Sequence, residues 1–299
     1  MPDERRYELP GGVTVDRTQP AVGAVVSGID LGRDLDPVQT QSLRTALFAH
    51  GAIFLRGQPD IGYEGHLALA RVFGEPVRDG NDPARPEIVP IGARAGSPEG
   101  MACMWHSDDC YAKAPPPVTV LRAIAPCTFG GDTCFSSGVA AYNGLPDDLK
   151  EQIGTLRYHS NFAQHEPTDF SFFGSRENWE KLVERYPPIT QPVVLVHPAT
   201  GTRALYTNIP WTHAIVGMDP DESRALINRL AGEFLRPEYQ TRWSWEPGAL
   251  AIWDNRLVQH YAVPDHQTDR YLERITVEGQ PHLSIADWDG LQKRVAQPA

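Results

Sequence analysis

The chain has 299 residues, of which 41% are hydrophobic and 22% charged, a composition typical of globular proteins rather than of disordered or fibrous ones. The net charge is −11 and the basic residues are scattered, so the sequence lacks the basic stripe expected of a nucleic-acid-binding protein. No run approaches the ~20 apolar residues of a membrane span, and the four cysteines form no C-x-x-C pair, so we expect a cytoplasmic protein with no membrane partner.

The first third of the chain predicts strands alternating with helices. Residues 22–31 are typical of a strand. Asp36, followed by proline, predicts a helix N-terminus, and apolar residues at helical spacing continue to a stop at Gly51. A short buried strand is expected at 52–57, and a second helix at 63–74.

The next segment, residues 76–104, is rich in proline, glycine and charge, and it predicts a long irregular loop of the kind that carries function in compact domains. Beyond it come short strand-like runs separated by turns. These runs are 118–125, 133–137, 193–197, 204–208, 249–253 and 272–279. One helix interrupts them, with Asp219 as its N-cap. We expect a single domain over residues 1–299, mainly β, built as a sandwich or jelly roll.

A possible metal site lies just before the first of these strands. In an extended strand the side chains of His106 and Asp108 would lie on one face, about 6.6 Å apart along the chain. One more histidine would complete the two-histidine, one-carboxylate set of non-haem iron(II) oxygenases. The H-x-D pair alone is weak, since it often occurs by chance. Of the other histidines, His260 has the most distinctive context, because the apolar run 249–253 leads into a polar Asp-Asn-Arg triplet before it.

Two arginines near the C-terminus point to an anionic ligand. Arg270 and Arg274 are four residues apart, so a strand would carry both on one face. A guanidinium binds a carboxylate through two parallel hydrogen bonds, and two of them facing a pocket would suit one or two anions. The alternative is a surface salt bridge to a neighbour such as Asp269 or Glu273.

Distinctive segments are spread in order along nearly the whole chain: "HGAIFLRGQ", "WHSDDCYAKAPPPVTVLRA", "GGDTCFSS", "HPATGTRALYTN" and "RPEYQTRWSWEPGALAIWDNRLVQHYA". Together they resemble the iron(II)- and 2-oxoglutarate-dependent dioxygenases of the taurine dioxygenase family, which includes alkylsulfatase and 2,4-dichlorophenoxyacetate dioxygenases. The resemblance implies a double-stranded β-helix, a cupin-like jelly roll with helices packed outside.

The resemblance also implies roles for individual residues. His106, Asp108 and His260 correspond to the iron ligands. Thr133 and Arg270 correspond to the pair that holds the distal carboxylate of 2-oxoglutarate, and Arg274 to the arginine facing the anionic group of the substrate. The interval from His260 to Arg270 is one residue shorter than usual, so the two arginines could exchange roles. Trp253 and Asn255 would support the ligands.

The chain departs from the family where the substrate binds. Taurine-type members carry a histidine at the position of Asp79, and a buried carboxylate there would repel a sulfonate. Asp109 adds a second unexpected negative group. Either both aspartates face solvent, or they bind the cationic end of a zwitterionic substrate whose carboxylate meets Arg274. Residues 159–190, with Trp211, correspond to a lid over the substrate; their aromatic side chains could equally be core or dimer contacts.

The expected activity is the oxidation, most simply the hydroxylation, of an unactivated carbon in a small anionic substrate. The cofactor would be Fe(II), with 2-oxoglutarate and O2 as co-substrates and succinate and carbon dioxide as products. An amino acid or other zwitterion is favoured over taurine, with alkylsulfonates, alkylsulfates and aryloxyacids as alternatives. A catalytically silent jelly-roll binding protein and a zinc or manganese hydrolase are the rival classes. Neither has a use for the Thr133 and Arg270 pair. Dimers or tetramers are common among such enzymes, and we expect a homo-oligomer.

Overall fold

A computed structural model describes residues 4–95, 100–163, 166–167, 170 and 174–295. Within these ranges lie seventeen strands and seven α-helices. The strands are β1 (Arg6–Leu9), β2 (Val13–Arg17), β3 (Ala24–Ser27), β4 (Ala52–Leu55), β5 (Val89–Ala93), β6 (Val118–Ala125), β7 (Thr133–Ser137), β8 (Arg157–Ser160), β9 (Ile189–Pro192), β10 (Val194–Val196), β11 (Arg203–Leu205), β12 (Thr212–Ile215), β13 (Gln240–Trp243), β14 (Leu250–Asp254), β15 (Val258–Ala262), β16 (Arg270–Thr276) and β17 (Leu283–Ser284). The helices are α1 (Pro37–His50), α2 (Gly62–Arg71), α3 (Gly138–Asn143), α4 (Asp147–Ile153), α5 (Arg176–Arg185), α6 (Pro220–Glu233) and α7 (Ile285–Val295).

One large sheet organises the molecule. Its eight strands run in the order β1-β2-β3-β4-β14-β6-β16-β5, and every neighbouring pair is antiparallel except β3 with β4. A smaller sheet, β13-β7-β15, packs against it. Two further three-stranded sheets, β12-β8-β9 and β11-β10-β17, extend the structure beyond this pair.

The central strands of the large sheet are buried on both faces, which explains why they are continuous apolar runs in the sequence. Successive side chains of β4 and β14 point to opposite faces and so enter two separate cores. One core lies between the two sheets and the other contains the buried residues of α1 and α2. The first receives Ala52, Phe54, Ala251 and Trp253, and the second receives Ile53, Leu55, Leu250 and Ile252.

Aromatic rings fill the core between the sheets. Phe54 of β4 stacks on Trp243 of β13 with 4.4 Å between ring centroids, and its centroid lies 5.4 Å from that of Phe135 on β7. Phe135 in turn contacts Trp253 at 5.4 Å. Trp253 lies 4.7 Å from the ring of His260 on β15, so the packed core extends directly to a predicted ligand. Offset and tilted aromatic pairs of this kind add ~1 kcal/mol each beyond their buried area.

Capping residues set the ends of the predicted helices. Asp36 accepts hydrogen bonds from two backbone amides at the start of α1, and Asp219 does the same for α6. Gly51 ends α1 at φ +70°, and a Cβ there would lie 2.7 Å from Val258, so only glycine fits without strain. These features confirm the predicted helix boundaries. Among the described helices, none is long and apolar enough to cross a bilayer.

The segment expected to be irregular and the candidate lid both contain regular structure. Residues 76–104 include β5, an edge strand paired with β16, and a 3₁₀ turn at Gly100–Cys103. Pro90 and Gly92 hid β5 from the sequence analysis, because both are disfavoured in strands and an edge strand tolerates them. The candidate lid, 159–190, contains α5. Its residues 164–165, 168–169 and 171–173 lie outside the described ranges.

Two buried histidines make the stability of the fold sensitive to acid. Burial lowers the pKa of His66 to about 4, and burial with the nearby Arg17 does the same for His50. In the unfolded chain the histidine pKa is near 6.5, so between pH 6.5 and 4 these histidines bind protons in the unfolded chain while they stay neutral in the folded one. The stability that these histidines contribute is present above pH ~6.5 and is lost as the pH falls toward 4.

We therefore expect the urea midpoint of unfolding to fall between pH 7 and pH 5, and the fall to be smaller in a His66→Gln variant. Circular dichroism across a pH series measures both. His213→Gln, at an exposed position, is the control and should leave the slope unchanged. An identical pH slope in His66→Gln and the unsubstituted chain would contradict the assignment.

Candidate active site

The two predicted ligand histidines meet through their backbones. His106 and His260 exchange two hydrogen bonds, with N to O distances of 3.1 and 2.8 Å, and form an isolated antiparallel bridge. Their imidazole centroids lie 4.1 Å apart. One ligand atom from each of His106, Asp108 and His260 lies within 4.8 Å of the other two, and all three residues are buried. The structure thus brings together the three residues expected to form a metal site.

The backbone between these ligands is not the strand that the spacing argument assumed. Only His106 pairs with a neighbouring strand, and Asp108 begins a turn. The backbone amide of Ser107 donates to Asn208 Oδ1 at 2.6 Å, and that of Asp108 donates to Asn255 Oδ1 at 3.1 Å. Asparagine side chains therefore satisfy groups that a strand would pair through its backbone.

The protonation of the three residues suits a divalent cation. Burial lowers the pKa of His106. The pKa of His260 is lowered to about 3 by burial and by the neighbouring His106. Burial acts to raise the pKa of Asp108, but the positive Arg274 and the two histidines outweigh it and hold the value at about 2. His106 Nδ1 donates to the Met104 carbonyl at 2.7 Å, which leaves Nε2 as the acceptor. Two neutral imidazoles and a carboxylate are the donor set of non-haem iron(II) sites.

The two oxygens of Asp108 have different partners. Oδ1 accepts from Arg274 at 2.9 Å and lies 3.8 Å from His260 Nε2. Oδ2 accepts from the Thr119 hydroxyl at 2.6 Å. Arg274 Nε is buried with no hydrogen-bond partner among the described residues, so the guanidinium keeps donor capacity for a ligand.

Arg270 and Thr133 lie on facing sheets, and Arg270 reaches the segment just before Thr133. Arg270 extends from β16 on the same face as Arg274 and donates to the Gly131 carbonyl at 2.6 Å. Thr133 begins β7, two residues after Gly131, and its hydroxyl oxygen accepts from Trp245 Nε1 at 3.0 Å. The Thr133 hydroxyl hydrogen therefore remains available for an acceptor.

The two unexpected aspartates are both neutralised or hydrogen-bonded. Asp79 forms an ion pair with Arg185 at 2.7 Å, and its side chain is 30% exposed. Asp109 is half-buried and accepts from the Tyr111 hydroxyl at 2.7 Å, while burial raises its pKa. Asp109 has a φ angle of +45°, and it is the one non-glycine residue in the described ranges with a positive φ. Backbone strain of this kind is often found at functional sites.

Trp211 joins the site to an aromatic cluster. Its ring meets the His106 imidazole edge-on, with 5.9 Å between centroids. Tyr111 lies 5.2 Å from Trp211 and contacts Phe162 and Tyr186 at 4.8 and 5.0 Å. The cluster links His106 to the segment predicted to be a lid.

Several residues of the site were not found by sequence reasoning. They are Thr119, Asn208, Trp245, Arg185 and Tyr111. Thr119 is fully buried in β6, and its one signal in the sequence was that it is a polar residue within an apolar run. Asn208, Trp245 and Arg185 act through contacts with distant segments, which spacing cannot reveal, and Tyr111 joins Asp109, two residues away, to the distant Trp211 and Tyr186.

The comparisons with known proteins agree with this geometry. Residues 14–276 match the family described as "Taurine catabolism dioxygenase TauD, TfdA family". An alkylsulfatase of Acinetobacter baylyi is 34% identical, over 87% of this chain and 83% of its own length. An alpha-ketoglutarate-dependent sulfate ester dioxygenase of Pseudomonas putida is 33% identical, over 88% of this chain and 89% of its own length. The crystal structure of a taurine dioxygenase from Burkholderia xenovorans superposes with a TM-score of 0.79 at 31% identity, covering 92% of this chain and 94% of that one.

The chain therefore belongs to the TauD/TfdA family of dioxygenases. The family resemblance and the jelly-roll fold predicted from the sequence are confirmed. The protein is an oxidoreductase of the iron(II)- and 2-oxoglutarate-dependent class.

Proposed function

We propose that His106, Asp108 and His260 hold Fe(II), and that the protein uses it with 2-oxoglutarate and O2 to oxidise an unactivated carbon of a small substrate bearing an anionic group. The observation that carries the proposal is the convergence of these three buried ligands within 4.8 Å. When bound, the iron supplies the activation of oxygen, while 2-oxoglutarate is converted to succinate and carbon dioxide.

Arg270 and Thr133 hold the distal carboxylate of 2-oxoglutarate in this proposal. The guanidinium supplies a positive charge and hydrogen-bond donors to the carboxylate, and the hydroxyl supplies a further donor. Trp245 supports the pair, since its Nε1 occupies a lone pair of the Thr133 oxygen and turns the hydroxyl hydrogen away from the indole. Gly131 supports it as well, because its carbonyl fixes one edge of the Arg270 guanidinium.

Arg274 and the aromatic cluster bind the substrate. Arg274 lies on the same face of β16 as Arg270 but beside Asp108, so an anion bound to it is close to the metal ligands. Trp211 and Tyr111 supply an apolar wall against the carbon skeleton and exclude water from the reacting centre. Substrate placement of this kind selects which carbon is oxidised.

A zwitterion, such as an amino acid, is the first candidate for the substrate. Asp109 carries a half-buried carboxylate, and its charge, with that of Asp108, raises the pKa of Arg274 against the effect of burial, so a negative and a positive group interact here. Arg274 would take the carboxylate of the substrate and Asp109 its cationic end. The single hydrogen bond from Tyr111 leaves acceptor capacity on Asp109 for an ammonium group.

A sulfate ester or sulfonate is the second candidate. The objection to it was the negative charge of Asp79, and the ion pair with Arg185 offsets that charge. The relatives named above include a sulfate ester dioxygenase and an alkylsulfatase. In this arrangement Arg185 would add a second cation on the side of α5, where the predicted lid covers the substrate.

The homo-oligomeric state and the cytoplasmic location remain part of the proposal. A dimer or tetramer is expected by analogy with other enzymes of the family. Light scattering after size-exclusion chromatography measures the assembly, and a monomer across micromolar concentrations would contradict it.

For the metal site, we expect Mn(II) to bind the purified chain, and anaerobic addition of Fe(II) and 2-oxoglutarate to produce a weak visible charge-transfer band. Asp108→Ala should weaken Mn(II) binding by more than ~100-fold, since loss of a ligand exceeds the 10- to 100-fold effect of changes around it. Calorimetry and anaerobic spectroscopy are the measurements. His213→Ala is the control, and an unchanged band in Asp108→Ala would refute the ligand assignment.

For the co-substrate, we expect Arg270→Gln to raise the KM for 2-oxoglutarate by about 10- to 100-fold, which corresponds to the loss of one charge-assisted hydrogen-bonded contact. Succinate release, with 2-oxoglutarate varied, measures the effect. Arg236→Gln removes an exposed arginine that pairs with Glu233 and Glu238 and lies over the Tyr239 ring, and it should behave like the unsubstituted enzyme. A larger effect on the substrate KM than on the 2-oxoglutarate KM would instead indicate that Arg270 and Arg274 have exchanged roles.

For the substrate, a screen of succinate release should cover sulfonates, sulfates, aryloxy acids, amino acids and betaines, with oxygen consumption followed to detect uncoupled turnover. If the best substrate is a zwitterion, Asp109→Asn should raise its KM by ~10-fold or more. If it is a sulfate ester, Arg185→Gln should raise the KM and Asp109→Asn should not. Unchanged Michaelis constants in Asp79→Ala and Asp109→Ala, measured with the true substrate, would rule out the zwitterion proposal.

A further inference from the structure

The carboxylate of Asp108 is held by a chain of side-chain hydrogen bonds whose direction can be worked out atom by atom. The chain runs from Trp253 through Asn255 and Thr119 to Asp108. All four residues are buried, with exposed fractions of 3% or less. No alternative donor or acceptor from solvent therefore competes with these contacts.

The orientation of the Asn255 amide is fixed by two donors. Its Oδ1 lies 3.0 Å from Trp253 Nε1 and 3.1 Å from the Asp108 amide nitrogen. Both of these are N–H groups that can only donate, so the atom between them must be the amide oxygen. The Nδ2 group consequently faces the other way, toward the Pro116 carbonyl at 3.2 Å and the Thr119 hydroxyl at 2.9 Å.

The direction of the Thr119 hydroxyl follows from that of Asn255. Because Asn255 Nδ2 donates to the hydroxyl oxygen, the hydroxyl hydrogen is free for the remaining neighbour. That neighbour is Asp108 Oδ2 at 2.6 Å, a short distance typical of a hydroxyl donating to a carboxylate. Thr119 thus donates to Oδ2 in every arrangement that satisfies Asn255.

The sheet places Thr119 where this contact is possible. On β6, Thr119 is paired with Trp253 of β14, and its side chain lies on the face that carries Leu121 into the core between the sheets. A threonine on that face would otherwise bury an unsatisfied hydroxyl, at a cost of about 1–3 kcal/mol. The hydroxyl therefore has a specific use at this position rather than a role in packing alone.

We infer that Thr119 is a positioning residue that occupies Asp108 Oδ2 and leaves Oδ1 as the single oxygen for the metal, with Asn255 setting the direction of the hydroxyl. This inference rests on the metal-ligand assignment proposed above. Oδ1 lies toward His260 and, among the described residues, accepts one hydrogen bond, from Arg274, so its second lone pair remains for the metal. Oδ2 points into the large sheet at Thr119. A carboxylate restricted to one oxygen takes one position on the metal and leaves the others for co-substrates.

The test compares Mn(II) affinity in variants of Thr119. Thr119→Val keeps the shape of the side chain and removes the hydroxyl, and we expect it to weaken Mn(II) binding by roughly 10- to 100-fold. Thr119→Ser keeps the hydroxyl and should bind within about threefold of the unsubstituted chain. Thr241→Val, at a buried threonine on β13 whose hydroxyl donates to Thr18, is the matched control and should bind normally.

Calorimetry gives the Mn(II) dissociation constant, and circular dichroism of the same metal-free samples gives the melting temperature. A structural role alone would lower the melting temperature of Thr119→Val without weakening metal binding in the folded fraction. If Thr119→Val does not fold, Thr119→Cys replaces it, because a thiol is a poor donor and should also weaken binding.

Normal Mn(II) affinity in folded Thr119→Val, or in Thr119→Cys where that variant replaces it, would overturn the positioning role while leaving the metal site intact. Absence of Mn(II) binding by the unsubstituted chain would instead overturn the ligand assignment, and the positioning role with it. The two failures are therefore distinct.

Discussion

The site depends on the two backbone hydrogen bonds that join His106 to His260. They connect the irregular segment after the loop 76–104 to β15, the end strand of the smaller sheet. The pairing of β15 with β7 places His260 opposite Phe135, whose ring lies in the aromatic core. A shift of one residue in that register would turn the imidazole to the other face of the sheet. The geometry of the proposed metal ligands therefore depends on the packing between the sheets.

Burying Asp108 beside this bridge requires compensation. An ionised carboxylate out of water is costly unless it is paired and hydrogen-bonded. Arg274 supplies the charge, and the Thr119 hydroxyl and the Asn255 amide supply hydrogen bonds to the side chain and the backbone of Asp108. The arginine proposed to meet the substrate anion is thus also the residue that keeps Asp108 ionised. In the proposed mechanism, substrate binding and the electrostatics of the metal site are therefore coupled through this one guanidinium.

Much of the fold could be predicted because its signals are local. Asp36 and Asp219 cap their helices through amides two or three residues away, and β6 and β7 are apolar runs bounded by turn residues. The elements without a clear local signal were missed: the strands β1, β2, β5, β8, β9, β12, β13, β15 and β17, and the helices α3, α4, α5 and α7. The predicted site residues His106, Asp108 and His260 came partly from residue type and partly from family resemblance. Their convergence in space could not have been derived from spacing, since it depends on a bridge between distant segments.

The sequence by itself determined the residue types of the site, the apolar runs of the central strands, the helix caps and, through resemblance, the family. Only the tertiary structure decided that the backbone at Asp108 leaves the strand conformation, that Asp79 is neutralised by Arg185, and that Asn255 directs the Thr119 hydroxyl. The physical reason is the distance along the chain over which each interaction acts. Caps and periodic patterns act over a few residues, whereas a buried charge or a hydrogen-bond direction is fixed by groups brought together from distant parts of the chain.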